Sequence, residues 1–105
     1  MSEEKRKTLL ETLKDTVEFF KNRKTVGRMK TEHAIFIPTQ LITNSEKETE
    51  EFILAAKKIN AHEEWHCPVE TEPMTTRDIA GVNFIFTFSP NTDFDRILED
   101  INSRL

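Results

Sequence analysis

AHEEWHCPV, residues 61–69, is the stretch whose reading decides the architecture. Read as a helix, it prolongs the helical segment before it and aims two histidines and a glutamate from one face. Read as a strand, it adds a strand to the chain and that grouping dissolves. His62-Glu63-Glu64-Trp65-His66 spells H-E-x-x-H, the sequence form of a zinc peptidase site. There, two imidazoles four residues apart converge on the metal and the glutamate polarises its water.

Four features favour the strand. Asn60 is a helix terminator, and no apolar helical pattern follows it. Trp65, Cys67 and Val69 alternate with Glu64, His66 and Glu70, which is strand periodicity. Glu64 puts a second charge inside the motif. Pro68 follows at once, so no further helix supports a second ligand. A third ligand is unmarked, since Glu70, Glu72 and Asp78 are near only in sequence. The expectation is an edge strand with Trp65 and Cys67 inward and His66 and the glutamates solvated. The helical reading carries the alternative: a zinc-dependent hydrolase, or a looser metal site from His62, His66 and Cys67. No catalytic residue and no cofactor are assigned. Glu63, Glu64 and Glu70 around Cys67 would raise its thiol pKa and disfavour a nucleophile.

Upstream, SEKETEEFILAAKKINA, residues 45–61, opens with Ser45-x-x-Glu48, a capping box. Phe52, Ala55, Ala56 and Ile59 mark its inner face, and Glu46, Lys47, Glu50 and Lys57 its outer one. Before it, HAIFIP, residues 33–38, reads as a strand that Pro38 ends or bends, with TQLIT, residues 39–43, extending it. At the N-terminus, Leu9, Leu10, Leu13, Val17 and Phe20 recur at helical spacing. They predict a helix over about residues 3–23, started by Ser2 and ended before Gly27.

Downstream, TEPMTTRDIAG, residues 71–81, reads as a loop with one helical turn capped by Thr75. GVNFIFTF, residues 81–88, is the clearest strand, with Val82, Phe84, Phe86 and Phe88 on one face. Ser89-Pro90 closes it and starts a last helix, whose inner stripe is Phe94, Ile97, Leu98, Ile101 and Leu105.

The order is α-β-α-β-β-α: an α+β two-layer sandwich, ferredoxin-like without the last strand, plus an N-terminal amphipathic helix. All 105 residues are expected in one domain, with 25–105 as the α+β core. Residues 1–24 then cover the second sheet face or contact another subunit, so a homodimer is an expectation. IFIPTQL, residues 35–41, and GVNFIFTFS, residues 81–89, loosely resemble the signature strands of RNA-recognition motifs, which stack bases on a sheet face. That resemblance implies Phe36 and Phe84 as stacking residues. It covers only those strands and the element order: the glycine-aromatic pairs are absent, and the Phe84, Phe86, Phe88 row reads as a core face.

Composition bounds the function. The single cysteine excludes an intramolecular disulfide and fits a reducing compartment, so a soluble, cytoplasmic protein without a membrane partner is expected. No apolar run approaches the roughly 20 residues of a membrane span. The net charge is −4, but residues 1–30 are basic and the rest strongly acidic. Lys21, Arg23, Lys24, Arg28 and Lys30 form the densest basic stretch and nominate RNA or DNA as the alternative partner. Glu46, Glu48, Glu50 and Glu51 on the second helix, with Glu63, Glu64, Glu70 and Glu72 beyond it, nominate an acidic surface for a protein partner. The leading expectation is a non-enzymatic regulator, inhibitor or immunity-type protein acting by protein-protein contact.

Overall fold

The computed structural model describes residues 8–23, 30–38 and 46–105. They form, in chain order, α1 (Leu9–Arg23), β1 (Thr31–Pro38), α2 (Glu46–Ala61), a 3-10 turn (Glu63–Trp65), β2 (Val69–Thr76), β3 (Ile79–Phe88) and α3 (Phe94–Arg104). The result is a small α+β fold in which three helices pack on one three-stranded antiparallel sheet of order β1-β3-β2.

α1 begins at a capping box the sequence carries in plain view, Thr8-x-x-Glu11. Thr8 Oγ1 accepts from the Glu11 amide at 3.1 Å, and the Glu11 carboxylate accepts from the Thr8 amide at 2.9 Å. The Leu9 amide, another donor without an intrahelical partner, donates to Glu48 of α2 at 2.9 Å. The expected start near Ser2 lies outside the described residues, as do Gly27, Ser45 and the 39–43 extension of the first strand. α2 covers the expected span, and Phe52, Ala55, Ala56 and Ile59 are all buried.

β3 is the central strand, so both its edges are paired. Its register sets Phe84 beside Ile35 and Thr71, and Phe86 beside His33 and Val69. Alternation then divides the sheet. Phe84, Phe86, Phe88, Ile35 and Ile37 face the helices and are buried. Phe52 meets Phe84 edge-on at 5.1 Å, and Phe20 of α1 stacks on Phe88 at 4.7 Å. Such aromatic pairs contribute about 0.5–1.5 kcal/mol each beyond their buried area. α1 therefore lies on the same face as α2 and α3, with Leu10, Leu13 and Val17 in the core. The expectation that it covers the second face, or sits at the periphery, is corrected: its apolar stripe is used within the chain, between α2 and α3.

Four further expectations are overturned. Residues 63–65 form a 3-10 turn rather than a strand, and His66 adopts a left-handed conformation with φ 54°. The α2 helix has no inward stripe left to continue, and Asn60 Oδ1 instead accepts from the Val69 amide at 3.0 Å, drawing the chain into β2. Residues 71–81 are not a loop with a helical turn at Thr75. They complete a tight hairpin in which Thr76 pairs with Ile79 around Arg77 and Asp78. Pro73 is accommodated because, among the described residues, β2 is an edge strand, where proline is tolerated. Finally, α3 starts at Phe94, not at Pro90. Asp93 is its cap, accepting from the Arg96 amide at 3.1 Å, and residues 89–92 form a turn. Leu105, expected on the inner stripe, is exposed.

Candidate functional site on the uncovered sheet face

The H-E-x-x-H residues do not share a helical face. His62 precedes the 3-10 turn, stacks on the Trp65 indole at 4.2 Å and bonds Glu64 at 2.9 Å. The His62 bond holds the Glu64 carboxyl below its usual range. His66 lies on the far side of the turn, exposed, in a cleft with Lys30. Cys67 is 2% exposed, and burial pushes its thiol up to about 12, so it stays protonated at neutral pH. Among the described residues, no group of three or more His, Cys, Asp or Glu side chains is placed to hold a metal ion. Trp65 and Cys67 do point inward, but from an irregular segment rather than an edge strand.

Of the basic residues, Lys21 pairs with Asp95 of α3 at 2.8 Å, and that bond raises its pKa. The Arg23 guanidinium sits 5.1 Å from the Phe19 ring. Lys24, Arg28 and the side chain of Glu46 lie outside the described residues. Among the described basic residues, Lys30 lines the His66 cleft at the end of the sheet.

The acidic candidates separate into three places. Glu48 accepts from the start of α1, and Glu50 and Glu51 lie elsewhere on α2, Glu50 exposed and Glu51 half-buried. Glu63 and Glu64 are exposed on the 3-10 turn. Glu70 and Glu72 occupy alternate positions of β2, in register with Ile85 and Asn83. Paired residues share a face, so both glutamates stand on the side of the sheet away from the helices.

No described element covers that side. Across it run Glu32, Ala34 and Phe36 from β1, Thr87, Ile85 and Asn83 from β3, and Glu70, Glu72 and Met74 from β2. Phe36 and Ile85 are half-buried at its centre, and Met74 is exposed. The face is shaped by Gly81: a β-carbon there would stand 2.5 Å from both the Phe36 ring and the Ile37 carbonyl oxygen. Glycine lets the phenyl ring lie flat over the strand. Asn83 Nδ2 contacts the Met74 sulfur at 2.8 Å, fixing the end of that row.

Phe36 and Phe84, which an RNA-recognition surface would require on one face, lie on opposite faces, and Phe84 is buried against Phe52. The uncovered apolar centre went unread in the sequence because both strands carry apolar residues on two faces. A usable signal was present: Glu70 and Glu72 at period two, next to Pro73, mark an edge strand with one solvated face. No described helix is long and apolar enough to cross a membrane. No family model matches the chain, and no curated protein or solved structure shows significant similarity to it.

Proposed function

We propose that the protein is a non-enzymatic regulator, of an inhibitor or immunity type, that binds a partner protein through the uncovered sheet face. The observation that carries this reading is the conjunction on one rigid face of an apolar centre, Phe36, Ile85 and Met74, with the acidic row Glu70 and Glu72. A flat sheet face with half-exposed apolar residues ringed by charge resembles the anatomy of a protein interface. Its charge selects the partner chemistry: an apolar contact flanked by Lys or Arg. The βαββα portion is read as ferredoxin-like without its last strand, which the order β1-β3-β2 supports. In that scheme the sheet is a platform held by the helices behind it.

The test compares three forms of the chain as bait in lysate of the native host: wild type, Glu70→Lys with Glu72→Lys, and Glu50→Lys. Wild type and Glu50→Lys are expected to retain the same partner, and the β2 double variant to lose it. With the partner purified, the association rate is expected to fall as salt rises. Equal retention by all three baits, or an association rate indifferent to ionic strength, counts against the reading.

A further inference from the structure

At the α3 end of the sheet, Lys30, His66, Pro68, Thr87, Ser89 and Asn91 surround a cleft of about 190 Å³. The residues come from four separate places: the entry to β1, the turn after α2, β3, and the turn before α3. Two are nitrogen bases, two carry hydroxyls and one an amide. Among the described residues no acidic side chain lines the cleft, although the chain as a whole is acidic. Among the described residues, neither Lys30 nor His66 takes part in an ion pair.

The cleft is also rigidly built. Thr92, the buried polar residue beneath it, donates from Oγ1 to the His66 carbonyl at 2.7 Å and accepts from the Ser89 amide at 2.9 Å. The His66 amide donates to the Glu63 carbonyl, and the Asp93 amide to that of Trp65. Two loops are thereby stapled together across the sheet edge. The staple holds His66 at φ 54°, a left-handed conformation uncommon for non-glycine residues, among which histidine is one of the more tolerant. Ser89 Oγ accepts from the Asn91 amide at 3.2 Å. Its 3.5 Å approach to Thr92 is too long to engage its O–H firmly, so that proton remains available to a ligand.

We propose that this cleft binds a single oxyanion, the phosphate group of a small phosphorylated molecule. Lys30 supplies the charge, and His66, Ser89, Thr87 and Asn91 supply directed donors of the kind that recognise phosphate oxygens. The volume is below the roughly 300 Å³ at which organic-ligand pockets begin, and it suits a phosphoryl group whose remainder projects into solvent. A polyanion such as RNA is disfavoured by the same face. A strand leaving the cleft along the sheet meets Glu32, in register with Thr87, then Glu70 and Glu72.

The experiment is an NMR titration of the full chain, following backbone amides, with inorganic phosphate, glycerol phosphate and a single-stranded oligothymidylate. Each is compared with sodium chloride at matched ionic strength. Saturable shifts at His66, Ser89 and Asn91 are expected with both phosphates and not with chloride. Lys30→Gln is expected to weaken affinity about tenfold, as loss of a charge-assisted contact does. His66→Asn, which keeps a residue tolerant of the left-handed backbone, is expected to weaken it comparably, and Lys57→Gln on α2 to leave it unchanged. Shifts no greater than those with chloride, or the same affinity in Lys30→Gln as in wild type, overturn the proposal. Tighter binding of the oligonucleotide than of glycerol phosphate overturns its small-molecule form.

Discussion

Asp100 sits between two cations. Lys58 reaches it from α2 at 2.9 Å, and Arg104, one turn further along α3, at 3.2 Å. Burial alone would push its carboxyl up, but the bonds and charges of Lys58 and Arg104 outweigh burial and hold it below its usual value. A depressed value in the folded state fixes the sign of the pH effect. The stabilisation is complete above the unfolded-state value, about 4, and is lost as pH falls through the folded-state value. Asp100→Asn is therefore expected to cost about 1–2 kcal/mol at pH 7, since it removes a charge bonded to two donors. The gap should close in acid, once pH has fallen through that depressed folded-state value. Urea unfolding midpoints at the two pH values check this, and a gap that stayed constant would assign the effect to packing. Cys67 shows how one direction can have two origins. The neighbouring glutamates led to an elevated thiol, yet the cause in the folded chain is burial beneath the 3-10 turn.

At the scale of elements, the β2-β3 hairpin is the least orthodox piece. Its two-residue connection, Arg77-Asp78, has φ of 50° and 67°, both in the left-handed region. Two successive positive φ values are the signature of a type I′ turn, which favours Asn-Gly because other residues are strained there. Replacing Arg77→Asn and Asp78→Gly is expected to raise stability by about 1 kcal/mol, read as a thermal midpoint several degrees higher. A lower midpoint would show that the arginine and aspartate side chains hold the turn. The same turn explains where sequence reading failed. Arg-Asp is not the Asn-Gly or Asp-Gly pair that marks a two-residue hairpin, so 71–81 read as a loop with a helical turn at Thr75. Where local chemistry and burial agree, the elements were legible: α2 over 46–61, β3 and the α3 stripe from Phe94 to Ile101. In residues 63–67, alternating burial was legible but the backbone was not. A 3-10 turn followed by a left-handed residue places Trp65 and Cys67 inward just as an extended strand would. The cleft was illegible for a related reason: the staple through Thr92 joins the His66 and Ser89 turns, and Lys30 reaches them because Thr31 pairs with Phe88.

At the scale of the molecule, the decisive fact is that the core formed by the described residues is one-sided. Three helices and one sheet face enclose the buried apolar cluster, while Phe36 and Ile85 on the other face remain half-buried. Under the proposed function, stability and recognition are carried by alternate residues of the same strand. Phe86, with no exposed surface, belongs to the first set, and its neighbour Ile85 to the second. Phe86→Ala is expected to cost about 3–5 kcal/mol, the usual range for emptying a buried aromatic site. Ile85→Thr keeps β-branching and strand propensity and is expected to cost less than about 1 kcal/mol. Denaturant unfolding of the two variants separates these values cleanly, and near-equal costs would mean that the second face is packed in solution. Under the proposed function the ranking reverses in a binding assay. Ile85→Thr should lose little stability yet hold the partner poorly, because Ile85 stands at the apolar centre of the proposed contact face.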